Sequence, residues 1–131
     1  MYIRDLKPLK NPEKVKAGDL CIIEKSCFGR YSYSIKTIDR VTKTKIVVGN
    51  TDFKNGTTKS SGAWSPTSDN IYEYEEAAAQ LIRETNKKIN SLAVIKDMLT
   101  KKSLDEIASC LSNEDVEKLN TIFEKLNNDG N

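Results

Sequence analysis

The chain of 131 residues contains no histidine. Histidine is the commonest general acid–base side chain near neutral pH, so serine–histidine and cysteine–histidine nucleophile machinery is excluded within one chain. Cysteine is scarce. Cys21, Cys27 and Cys110 are an odd number, their spacing fits no CxxC metal pattern, and no histidine completes a ligand set. They read as free thiols, and no metal or cofactor is expected. The few glycines form neither a Walker loop nor a dinucleotide fingerprint. No apolar run approaches the roughly 18 residues that span a bilayer. The first residues, Met1-Tyr2-Ile3-Arg4-Asp5-Leu6-Lys7, lack the apolar stretch and cleavage site of a signal peptide, so a cytoplasmic protein without membrane contact is expected. An excess of one charge is also missing: 21 basic residues face 19 acidic ones, for a formal charge of +2. That balance disfavours nucleic acid as partner, because strongly basic domains are the usual footprint of nucleic-acid binding. It permits a small anionic ligand held by a few local bases.

What is present divides near residue 71 within one expected domain. Residues 1–18 read as an arm: Pro8 and Pro12 interrupt regular ladders, and Ala17-Gly18-Asp19 reads as a turn. Residues 19–70 carry strand and turn signals. Short strands are expected over 20–25, 33–41, 44–48 and 51–54, with Asn55-Gly56 as the strongest two-residue hairpin signal and 57–59 as the return. Residues 60–70 read as a loop holding the sole tryptophan, Trp64. Residues 71–131 are helical. A stripe through Ala78, Ile82, Ile89, Leu92, Ile95 and Leu99 predicts a helix over about 74–100, with Ser68 or Asp69 as its cap. Ser103 with Glu106 and Ser112 with Asp115 predict the starts of two more helices. The expected fold is α+β: a small antiparallel sheet or SH3-like barrel followed by C-terminal helices. A helix of that length, about 40 Å, exceeds what so small a sheet can cover. Either it breaks near Asn90-Ser91, or part of its stripe packs on another copy in a homo-oligomer.

The strand pair around 27–48 combines glycine, aromatics and bases. Phe28-Gly29-Arg30-Tyr31 reads either as a ligand loop, with arginine for phosphate and aromatic faces for a base, or as a surface loop. Trp64 reads as a stacking platform or as the plug of a small barrel. Arg83, Asn86 and Asn90 share one helix side, where they would read a base edge and a phosphate or form a solvated face. No catalytic pair stands out among the carboxylates, so binding is the expected activity.

The run of Gly18-Asp19, Gly29-Arg30-Tyr31-Ser32-Tyr33-Ser34-Ile35, residues 41–48, then Phe53, Gly56 and Trp64 resembles small phage-encoded proteins with an N-terminal antiparallel sheet and C-terminal helices. The architecture also resembles the phage anti-defence sponges that act against Thoeris. The resemblance implies a non-enzymatic counter-defence protein that sequesters a cyclic ADP-ribose-type nucleotide as an oligomer in the cytoplasm of the infected host cell. The residues expected to hold that ligand are Phe28, Arg30, Tyr31, Trp64, Arg83, Asn86 and Asn90. The alternative is a small-barrel module that binds nucleic acid or a host protein.

Overall fold

The computed structural model describes residues 3–59 and 66–129. The chain forms two compact units, 1–87 and 88–131.

The first unit is built on β1 (Leu20–Cys27), β2 (Arg30–Thr37), β3 (Arg40–Val41), β4 (Lys45–Val48), β5 (Thr51–Lys54) and β6 (Thr67–Glu73), followed by the start of helix α1 (Glu76–Thr100). Two antiparallel sheets result, in the orders β2-β1-β6 and β3-β4-β5. Two-residue turns set the register. Asn55 and Gly56 both take positive φ, at 56° and 84°, which is the twist a tight hairpin needs. The same geometry joins β1 to β2. There Phe28 and Gly29 sit at φ 50° and 81°, and Cys27 pairs with Arg30. The expected glycine loop is therefore a tight turn, and residues 28–29 make the connection in place of the expected 26–32.

Pairing across β1 sorts the sheet into two faces, because successive side chains alternate. One face carries Cys21 and Ile23 on β1 and Ile71 on β6. It packs against Ile46, Val48 and Phe53 of the second sheet, with Leu9 and Ile38 completing the core. The other face carries Ile22 and Tyr33, covered by Ala78 and Ile82 of α1 and flanked by Ile3 and Leu6 of the arm. The arm also extends the sheet: Leu9 N–H donates to the Ile71 carbonyl at 3.0 Å, and Glu73 N–H to the Lys7 carbonyl at 2.8 Å. That covers an edge of β6 that would otherwise expose unpaired backbone groups.

Two expectations are corrected. Residues 67–70 are not loop but the first half of β6, where Ser68 pairs with Ser26 and Asp69 with Lys25. Neither caps a helix, and α1 begins at Glu76. Strand pairing prevails because β1, with four consecutive buried residues, accepts a partner on both sides. The break near Asn90-Ser91 does not occur; α1 is continuous to Thr100.

The second unit holds the rest of α1 with α2 (Leu104–Cys110) and α3 (Asn113–Asp129). Both expected caps form. Glu106 N–H donates to Ser103 Oγ at 3.2 Å. Asp115 N–H donates to Ser112 Oγ at 3.1 Å, while Ser112 N–H donates back to the Asp115 carboxylate at 3.1 Å. These bonds satisfy amide groups that a helix start otherwise leaves orphaned.

Candidate functional site

The alternation that builds the first core also builds a cleft. Beside its apolar residues the same face of the first sheet is polar: on β2, Lys36, Ser34 and Ser32 lie opposite Cys21, Ile23 and Lys25, and on β6 Asp69 lies opposite Lys25. The second sheet packs on the apolar residues of this face. Between the two sheets the polar side chains wall a cleft of about 570 Å³, together with Thr37, Asp39, Thr51 and the Gly49-Asn50 turn. That rim is fixed by Asp39, whose carboxylate accepts the Gly49 N–H. Gly49 takes φ 60°, as the tight β4–β5 turn requires. Among the described residues, neither Lys25 nor Lys36 makes an ion pair. Two lysines thus share the cleft with a row of hydroxyls and with the Asp39 and Asp69 carboxylates, neither lysine held in a direct ion pair. Such a wall suits phosphate or another oxyanion, while hydroxyls and the Asp69 carboxylate suit sugar hydroxyls. Nothing beside Ser32 or Ser34 resembles an activating imidazole, since the chain has none. No group of three or more cysteine or carboxylate side chains able to hold a metal occurs among the described residues.

Behind the cleft, on the opposite face, lies a buried polar knot. Glu24 is 3 % exposed. Its carboxylate accepts Tyr33 Oη–H at 2.7 Å, Asn70 Nδ2–H at 2.9 Å and Tyr72 Oη–H at 3.3 Å. Tyr33 Oη in turn accepts Ile3 N–H at 3.0 Å, which pins the arm. Burial, then the neighbouring Glu24 carboxylate, raises the Tyr33 phenol above its ordinary range, although the bond from Ile3 acts the other way. Burial likewise pushes the Cys21 thiol up to about 11, partly offset by hydrogen bonding with the Lys36 backbone.

The residues expected from sequence fall in several places. Phe28 occupies the β1–β2 turn and is 76 % exposed. Arg30 opens β2 on the cleft's face of the sheet, whereas Tyr31, next in sequence, lies half-buried on the opposite face. One ligand on one face of the sheet therefore meets only one of the two. Asn86 donates Nδ2–H to the Tyr33 carbonyl at 3.0 Å and so fastens α1 to β2. Arg83 is exposed on α1, paired with Glu76 at 3.6 Å and donating to Tyr74 Oη at 3.4 Å. Asn90 is exposed in the helical unit. Trp64 lies outside the described residues. Lys25, Lys36, Ser32, Ser34 and Asp69 were not expected in a site. The signal for them was the strict alternation of Arg30, Ser32, Ser34 and Lys36 with Tyr31, Tyr33 and Ile35, which separates the basic side chains from the aromatic ones. The chain matches no known family, and neither characterised proteins nor solved structures yield a match to it.

Proposed function

We propose that the protein is a non-catalytic binding protein that captures a small phosphate-bearing nucleotide in the cleft between its two sheets. The cyclic ADP-ribose type implied by the resemblance to phage sponges is the ligand class, and sequestration in an infected cell is the role. The observation that carries this reading is the pair of lysines, Lys25 and Lys36, that line the cleft with the hydroxyl row of β2 and make no direct ion pair with its carboxylates. A pyrophosphate places its charge against them, and ribose hydroxyls meet Ser32, Ser34 and Asp69. A cleft of about 570 Å³ falls within the usual range of small-ligand sites, about 300–1,000 Å³. Slow release rather than turnover is what sequestration requires.

Calorimetric titration with cyclic ADP-ribose isomers, ADP-ribose, AMP and orthophosphate tests it. The cyclic nucleotides bind most tightly and are recovered intact after the protein is heat-denatured. Lys25→Met and Lys36→Met each weaken binding about tenfold, the size of one charge-assisted contact. Both side chains are exposed, so stability stays within about 0.5 kcal/mol. Recovery of a cleaved nucleotide overturns sequestration. Absence of nucleotide binding, together with steeply salt-dependent binding to single- or double-stranded nucleic acid, replaces it with the nucleic-acid module.

A further inference from the structure

We infer that the helical unit, 88–131, is a dimerisation element whose apolar groove is filled by the same unit of a second copy. The starting observation is that no residue from 88 to 128 is buried. Ile107 and Leu111 reach only partial burial. Yet the unit is rich in large apolar side chains, and Ile95, Met98, Leu99, Leu119 and Phe123 line a groove of about 600 Å³ between its helices. Each of these five is between 38 % and 53 % exposed. Chains of about 40 residues do not bury enough surface to fold without a staple or a partner. Among the described residues Cys110 is free and no metal-binding cluster exists, so neither a disulfide nor a metal serves as staple there.

Two features point to a second copy as the occupant. The first is spacing. Val116, Leu119, Phe123 and Leu126 recur on α3 at intervals of three and four, which is the seam a facing helix fills. Leu92, Ile95 and Leu99 repeat the pattern on α1, so the unit offers two seams of one kind. The second is charge. Residues 88–102 carry four lysines and one aspartate, whereas 103–128 carry six carboxylates and two lysines. A two-fold arrangement that sets α1 of one copy beside α3 of the other pairs opposite signs twice over.

The full chain is tested first by light scattering after gel filtration, at tens of micromolar. A mass of twice 14.7 kDa is expected. A Leu99→Lys, Phe123→Lys double variant is expected at the single-chain mass, and it retains the Tyr-rich first unit by near-ultraviolet dichroism. A second readout uses the native chain alone. Cys110 lines the groove and is exposed in one copy, while Cys27 is exposed on β1 of the other unit. Alkylation of Cys110 slows as protein concentration rises, and alkylation of Cys27 does not. Carbodiimide cross-linking of mixed light and heavy nitrogen chains then yields mixed-label peptides joining 88–102 to 103–128. A single-chain mass with Cys110 equally reactive at every concentration overturns the inference. So does a single-chain mass with Cys110 protected, because the groove is then covered by its own chain. A dimer with unprotected Cys110 and no mixed-label peptide from this unit overturns it as well, by placing the interface elsewhere.

Discussion

Phe28 is the residue at which local conformation and side-chain type disagree most. A two-residue hairpin with positive φ at both turn positions favours asparagine or aspartate followed by glycine. Here Gly29 satisfies the second position, but the first is a bulky aromatic at φ 50° with its ring 76 % exposed. A left-handed conformation costs an ordinary L-residue about 1–2 kcal/mol, less for asparagine. Phe28→Asn therefore raises the stability of the first unit by about 1 kcal/mol, which for a unit of this size raises Tm by about 4–8 °C. Differential scanning calorimetry measures it, and an unchanged or lower Tm contradicts the reading of this turn. The same residue shows where sequence reasoning stops. Phe28-Gly29 does not look like a hairpin turn, because the preference that marks such turns is violated at its first position. Asn55-Gly56 obeys it and was legible.

At the scale of elements, the sheet and the helix starts were largely legible, and the faces of the sheet only partly. Capping boxes at Ser103 and Ser112 are local, so four residues suffice to identify them. The second partner of β1 is not local: β6 pairs with it across forty or more residues of sequence, and its polar first half carries no apolar alternation. What joins β1, β2 and β6 on their second face is Glu24, which accepts from Tyr33, Asn70 and Tyr72. The three donors lie on two different strands, so the knot ties the sheet crosswise. Glutamine keeps the shape but offers one acceptor oxygen and turns an amide group towards donors. At least one buried polar hydrogen then loses its acceptor, at a cost of about 1–3 kcal/mol. Glu24→Gln should lower the urea midpoint accordingly without changing the slope, followed by tyrosine fluorescence. A midpoint equal to that of the native chain would show that the knot adds no stability.

For the molecule as a whole, the two groups with the most displaced acidities lie on opposite faces of one sheet, Cys21 in the inter-sheet core and Tyr33 beneath α1. Both shift upward because burial disfavours their anions. The folded chain therefore holds these protons more tightly than the unfolded chain does. In the unfolded chain the thiol ionises near its ordinary value of 9.0, while in the folded chain it does so only at about 11. Below pH 9 the full contribution is present. Between pH 9 and 11 the unfolded state loses its proton while the folded state keeps it, and stability falls. The phenol follows in the same direction at higher pH. The pH dependence of the native chain sums over many groups, so the native chain alone does not isolate the thiol. A comparison with Cys21→Ala does. At pH 7 the variant is less stable than the native chain, because removing a buried sulfur leaves a cavity. It carries no thiol to ionise, so the gap in urea midpoint between the two proteins narrows as pH rises from 9 to 11. A gap that stays constant across that window would show that Cys21 ionises alike in the folded and unfolded chains.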